Sequence, residues 1–353
     1  MRIFQHLDEL KDSDGVGNDA IGMHTIFNSL GWDSNFITRI PRRGNNLANA
    51  NFYTLSDSIK MNTNDIHILH YGGQGYPISN FINLAGKKIF RFHNITPADY
   101  YKNTTTPEIY ASMFRFESLS YLEIATLSIV SDAAWCDSPF NAYTLQSFNF
   151  KKTEILPICK KYNISSKVAA KDKQNNICFV GRFAPQKKWE DLITFFKLWK
   201  SKHPNSKLYC IGSIIGAFDG YFHRLTSITK SLGLEGDVIF MIGLSDEQVL
   251  EKMSECNAMI SMSEHEGFCV PLLEAFGVGL PVFAYDAGAI KTTLAGAGYI
   301  FSEKNDPSLL SNIESILFDE HKKQKMILKQ KQVLTNYNNI VWTKIIPMLI
   351  SEL

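Results

Sequence analysis

Short apolar runs alternate with helix-period segments along almost the whole chain. In the first half, RIFQHL (2–7), NFITRI (35–40), DIHILH (65–70), KKIFRF (87–92), TLSIV (126–130) and TEILPI (153–158) read as strands. In the second half NICFV (176–180), KLYCI (207–211), DVIFMI (237–242), NAMISM (257–262) and PVFA (281–284) do the same. DAIGMHTIFNSLG reads as a helix after the first strand, and after NICFV the residues Trp189, Leu192, Ile193, Phe196 and Trp199 recur on one helical face. Ser245 and Gln248 have capping-box spacing at another helix start. Strand–helix alternation at this spacing predicts an α/β chain with two doubly wound, Rossmann-like parallel sheets.

The stretch ICKKYNISSKVAAKDKQN (158–175) is polar, lysine-rich and without a period. It divides the chain into an N-terminal domain (1–158), a linker (159–175) and a C-terminal domain (176–336). The tail YNNIVWTKIIPMLISEL (337–353) is apolar enough to pack, and is expected to return to the N-terminal domain. A length of 353 residues suits two cores better than one.

The net charge of +1 argues against a nucleic-acid partner. Residues 1–150 hold 11 Lys/Arg against 14 Asp/Glu, and the remainder holds 25 against 21, so the second half better suits an anionic ligand. The six cysteines are scattered without C-x-x-C or zinc-like spacing and read as small core residues. MRIFQHLDELKD lacks a leader-like apolar region and no run of 18 apolar residues occurs. The expectation is a cytoplasmic protein, with any contact at the inner face of the cytoplasmic membrane peripheral.

Ligands of open α/β sheets sit at the carboxyl ends of strands, so the loops there carry the candidate chemistry. After NAMISM comes SEHEGFCVP, with Pro271 placed as the first residue of a helix and the flexible Gly267 before it. The N–H groups of such a helix start suit a phosphate. Glu274, one turn in, could accept two hydrogen bonds from a ribose diol, and Glu266 on the loop would face whatever the phosphate carries. On spacing alone both glutamates read equally well as solvated caps. After NICFV comes GRFAPQKKWEDL, where Arg182 and Lys187 could clamp a diphosphate, each charge-assisted bond contributing roughly 1.5–3 kcal/mol.

GRFAPQKK, followed about 80 residues later by EHEGFCVPLLEAFGVGLPV, resembles the retaining nucleotide-sugar glycosyltransferases of family four, which have the GT-B fold. The family pattern G-R-x4-K, then E-x7-E within EGF-x-x-P-x-x-E-A, then G-x-P-V, is met by Gly181, Arg182, Lys187, Glu266, Gly267, Phe268, Pro271, Glu274, Ala275, Gly279, Pro281 and Val282. The resemblance is tight over the C-terminal half and loose over the N-terminal half. It implies two domains facing a central cleft, with Arg182 and Lys187 on the diphosphate and Glu274 on the ribose. It also implies that Glu266 and the backbone of Phe268, Cys269 and Val270 contact the sugar. In the first half RFHNITPADYY resembles the family's H-N-I-T-P segment, which puts His93 near the donor sugar. DSDGVGNDA resembles its glycine loop, with Gly15 and Gly17 letting phosphate and acceptor approach the backbone. Three departures stand out: Lys188 where the family often has Gly, Ile290-Lys291-Thr292 where it often has Pro-Glu, and a long SIIGAFDG stretch.

The implied reaction moves a hexose from a UDP- or GDP-sugar to a glycan or lipid-linked acceptor in surface-polysaccharide assembly. It retains anomeric configuration, with no cofactor and no metal. A GT-B epimerase or a non-catalytic partner in a glycan-assembly complex would carry similar motifs. GVGNDA (15–20) also fits G-x-G-x-x-A, but DELKDSD separates it from the strand, against a dinucleotide site. Asp12-Ser13-Asp14 mimics a D-x-D metal motif and reads better as a polar loop.

Overall fold

The structure, a computed structural model, describes residues 1–11, 14–41, 47–164 and 174–353. Asp12 and Ser13 of the D-x-D triplet, and much of the expected linker, lie outside those residues. The chain divides into two compact units. Unit 1 comprises Met1–Pro97, Ser112–Lys161 and Asn339–Leu353; unit 2 comprises Ala98–Ala111 and Tyr162–Asn338.

The sheet of unit 1 contains β1 (Arg2–Leu7), β2 (Asp33–Thr38), β3 (Asn51–Thr54), β4 (Ile66–Tyr71), β5 (Lys87–Phe92), β6 (Ala133–Cys136) and β7 (Thr153–Ile155), in the order β3-β2-β1-β4-β5-β6-β7. Every pairing is parallel. Side chains alternate between faces with period two. Ile3, Ile66, Ile68 and Ile89 therefore join one apolar cluster, with Met23 and Phe27 of helix α1 (Gly15–Ser29). Phe4, Leu69 and Phe90 join another, beneath Phe81 of the short α2 (Ser79–Ile82) and Ile124 and Leu127 of α3 (Pro107–Val130). A short α4 (Pro139–Leu145) follows β6. The C-terminal helix, α12 (Trp342–Ser351), adds Trp342, Ile346 and Leu349 to the α1 face at i, i+4, i+7 spacing.

One expected strand is a helix. TLSIV forms the last turn of α3, because Ser120, Ile124, Leu127 and Ser128 recur at helical spacing on its buried side. The β-branched Thr126 and Ile129 raised strand propensity there, and packing overrode it. The strand is the next run, AAWC.

Unit 2 contains β8 (Ile177–Val180), β9 (Leu208–Gly212), β10 (Val238–Ile242), β11 (Ala258–Ser261), β12 (Val282–Tyr285) and β13 (Tyr299–Phe301), all parallel in the order β10-β9-β8-β11-β12-β13. Helix α5 (Trp189–Lys202) buries Trp189, Leu192, Ile193, Phe196 and Trp199 completely. After α6 (Asp219–Ser231), the expected capping box opens α7 (Asp246–Glu255), with Ser245 and Gln248 each bonded to the other's backbone. The remaining helices are α8 (Val270–Gly277), α9 (Ile290–Leu294), α10 (Leu309–Leu317) and α11 (Glu320–Asn338). Among the described residues no helix is long and apolar enough to cross a membrane.

Candidate active site

In unit 2 the strand order reverses between β8 and β11, so the loops leaving their carboxyl ends part and open a crevice there. The β8 loop carries Arg182 and Lys187, and the β11 loop carries Glu266 to Cys269. Lys187 Nζ lies 2.7 Å from both carboxylate oxygens of Glu266, whose side chain is only 5% exposed. A carboxylate that deep needs a charged partner. The sequence assigned these two residues to separate parts of a ligand; the structure joins them to each other.

Neighbouring loops hold this pair. The Glu264 N–H donates to the Gln186 carbonyl at 2.9 Å, tying the β11 loop to the β8 loop. The Ala289 N–H donates to the Glu266 carbonyl at 2.9 Å, and Thr293 Oγ1 donates to the Phe268 carbonyl at 2.6 Å. Gly288 sits at φ +56°, where any side chain would strike the Glu266 backbone. Gln186, Gly288, Ala289 and Thr293 were not singled out by the sequence reading; the one available signal was the glycine in YDAGAI. An outer ring adds Lys304, bonded to Glu264 at 2.6 Å and Asp191 at 2.7 Å, and Lys188, 3.3 Å from Glu264.

Both loops enter their helices through a left-handed residue that is not glycine. Lys188 has φ 52° before α5, and Cys269 has φ 68° before α8. Such backbone costs of order 1–3 kcal/mol and persists where surrounding structure fixes it. It also gives a physical reason why a glycine would suit position 188. Helix α8 starts one residue earlier than expected, with Pro271 second, and no side chain caps its start. Glu274 is half-buried one turn in, while Phe268 and Cys269 turn their side chains inward. Arg182 is exposed; its carbonyl accepts the Trp189 Nε1–H at 3.0 Å, which fixes the backbone beneath its side chain.

Unit 1 places the other candidates at the carboxyl ends of β1 and β5. Asp14 caps α1 by accepting the Gly17 N–H at 2.7 Å. A side chain at Gly17 would strike the Lys11 carbonyl, whereas among the described residues nothing lies within 4 Å of the position beside Gly15. Close packing thus explains Gly17 within the fold, and Gly15 alone leaves open space. His93 is bonded through Nδ1 to Asp137 Oδ2 at 2.9 Å and through Nε2 to His70 Nδ1 at 3.0 Å. Beside them Arg91, fully buried, donates from Nε and Nη2 to the two oxygens of Asp19 at 2.7 and 3.0 Å. Burial pushes the Asp19 carboxyl up, but the charge and hydrogen bonds of Arg91 outweigh it and hold it down at about 2.

One seven-stranded and one six-stranded parallel sheet with these switch-point loops give the GT-B class of fold, shared with the solved glycosyltransferase WaaG. Residues 160–333 match the model of the family described as glycosyl transferases group 1. Among solved structures, TarM superposes with a TM-score of 0.77 over 99% of this chain and 98% of its own, at 11% identity. Anabaena HepE, solved with UDP and glucose, gives 0.73 over the whole of both chains at 13% identity. Among curated relatives, the O-antigen chain mannosyltransferase RfbU of Salmonella typhimurium is 26% identical over 238 residues, which is 67% of this chain and 63% of that protein. The chain thus spans less than two thirds of that relative's length.

Proposed function

We propose that the protein is a retaining glycosyltransferase that moves a hexose from a nucleotide diphosphate sugar to a glycan or lipid-linked acceptor in surface-polysaccharide assembly. The carrying observation is the Lys187–Glu266 pair at the switch point of unit 2, beside Arg182 and the uncapped start of α8. In this reading Arg182 and Lys187 hold the diphosphate and meet the charge that grows as it leaves. Glu274 accepts the ribose hydroxyls, and Glu266 with the backbone of residues 267–270 faces the sugar. In unit 1, His93 and the open side of Gly15 lie on the acceptor-binding half. The acceptor hydroxyl attacks from the face the diphosphate leaves, passing its proton to a leaving phosphate oxygen. The name of the Salmonella relative supports an O-antigen-type acceptor. The UDP and glucose bound to HepE support a nucleotide-hexose donor.

The test is product analysis with UDP-, GDP- and ADP-hexoses and a set of glycan and lipid-linked acceptors, with and without EDTA. The expected product is a glycoside, formed equally with EDTA present; with a gluco-configured donor its anomeric proton coupling is small. An epimerised donor would instead identify an epimerase. No product from any donor would favour a non-catalytic partner. Loss of transfer in EDTA, restored by Mg²⁺, would overturn the assignment of leaving-group stabilisation to Arg182 and Lys187.

A further inference from the structure

Unit 1 buries two pairs of histidines on opposite faces of its sheet, and counting their protons separates them. On one face, His67 Nε2 lies 2.9 Å from the Ala85 carbonyl, His67 Nδ1 lies 3.1 Å from His6 Nε2, and His6 Nδ1 lies 2.8 Å from the Tyr76 hydroxyl. A carbonyl only accepts, so His67 carries its proton on Nε2 and accepts on Nδ1 from His6. His6 then accepts on Nδ1 from the Tyr76 O–H. Three hydrogen bonds are filled by one phenol and two neutral rings. Burial, with the neighbouring imidazoles, keeps His6 well below the usual histidine range, and burial chiefly brings His67 down to about 4, in keeping with neutral rings.

On the other face the same count leaves a gap. Gln5 Nε2 donates to the Ala20 carbonyl at 3.1 Å, so its Oε1 is the atom 2.9 Å from His70 Nε2. His70 must therefore donate from Nε2, which leaves its Nδ1 bare. That bare nitrogen faces His93 Nε2 at 3.0 Å, while His93 Nδ1 faces the Asp137 carboxylate at 2.9 Å. The line Gln5–His70–His93–Asp137 ends in an acceptor at both ends. It has three hydrogen bonds, and two neutral rings bring only two protons.

We propose that the His70–His93–Asp137 line holds a third proton, so that His93 is an imidazolium locked between Asp137 and His70. Burial depresses His70 well below the usual histidine range, with the His93 charge the next cause, which makes His70 the neutral member of the pair. The charges close as well: Arg91 and His93 face Asp19 and Asp137, two against two. Arg91 Nη2 lies 2.8 Å from Asp137 Oδ1, off the hydrogen-bond line, which favours an ionised Asp137. Among the described residues, the other groups around the line, from the strands and segments packed on it, are neutral: His6, Cys136, Cys159 and the carbonyls of Leu156 and Pro157.

A cation in place of the proton fits less well. Asp19, His70 and His93 do bring three ligand-type atoms within 4.8 Å of one another. Both Asp19 oxygens, however, are already taken by Arg91, and Oδ1 also accepts the Cys159 N–H at 2.7 Å. The two imidazole planes differ by 10° with centroids 5.3 Å apart, so with nitrogens 3.0 Å apart they meet edge to edge, as an N–H···N bond requires. A divalent ion would also add to the buried charge of Arg91.

The consequence for His93 is specific. Both ring nitrogens are committed to hydrogen bonds within unit 1, so neither is open to a bound ligand. Gln5, His70 and Asp137 are its positioning residues. The proton count depends on unit 1 alone, so it can fail while the transferase reading holds, and the reverse.

The test is long-range ¹H–¹⁵N correlation of the full-length protein labelled at histidine, at neutral pH, with His93→Gln for assignment. One ring, His93, is expected to show both nitrogens protonated, and His70 to show a proton on Nε2 only. Asp137→Asn supplies an amide donor to His93 Nδ1, closes the same line with neutral rings, and is expected to abolish the doubly protonated signal. That contrast is read without the His93 variant if the latter fails to fold, since Asp137→Asn identifies the ring by its change. Two neutral rings in the wild-type protein would overturn the proposal. So would one equivalent of a divalent metal, found in protein purified without chelator, whose removal shifts both rings.

Discussion

Lys187→Ala is expected to lower turnover by roughly 10²–10³, the scale of losing one charge-stabilising donor at a developing anion. Two causes could produce that loss. Lys187 could act on the diphosphate, or it could serve only to neutralise Glu266, which is 5% exposed and would be stranded without it. A double-mutant cycle with Glu266→Gln separates them. If neutralisation is the whole role, Lys187→Ala in the Glu266→Gln background costs little more than Glu266→Gln alone. The diphosphate role predicts that the further loss persists there, at tenfold or more, and that nucleoside diphosphate affinity falls with it. A lysine effect that vanishes in the glutamine background would reassign Lys187 to holding Glu266.

Arg91→Met is expected to destabilise unit 1 by about 3–5 kcal/mol, the usual cost of removing one partner from a buried ion pair. Arg91 and Asp19 are both fully buried, and the guanidinium also donates to the Leu156 carbonyl at 2.7 Å, so the variant strands a carboxylate and a carbonyl together. Denaturant unfolding followed by fluorescence, in which the buried Trp135 reports on unit 1, reads the change. The pH dependence has a definite sign. A carboxyl held at about 2 against an ordinary 3.8 contributes stability that is present above 3.8 and lost as pH falls towards 2. The gap between wild type and Arg91→Met should therefore be widest above pH 4 and narrow on acidification. A gap under 1 kcal/mol at neutral pH would show that Asp19 is compensated by something else.

Much of this fold could be read from the chain, because its strands are short apolar runs closed by polar turns. Where that contrast fades, the reading fails. NFYT and AAWC are four-residue strands flanked by ordinary residues, and YIF has three, too few to show a period. TLSIV has strand composition but lies on a helix already defined by Ile124 and Leu127. The candidate site followed a similar division. Arg182, Lys187 and Glu266, in the loops at strand ends, and Glu274, one turn into the helix that follows, could be found because turn-forming residues and Pro271 mark those loops and that helix start. That Lys187 and Glu266 grip each other across 79 positions is a tertiary fact with no local signature. The polar line in unit 1 was hidden for a related reason. Gln5, His70 and Arg91 are polar residues on the strand face that also carries Ile3, Ile68 and Ile89, and their side chains give no local sign that α1 buries them together.

The central claim is that the switch-point loops of unit 2 form a nucleoside diphosphate site, and calorimetric titration with UDP, GDP and ADP tests it most directly. The wild-type protein is expected to bind one of the three. Glu274→Ala should weaken that diphosphate by the loss of a charged acceptor worth about 1.5–3 kcal/mol, roughly ten- to a hundredfold. Binding of none of the three to folded wild-type protein, or equal binding by wild type and Glu274→Ala, would contradict it.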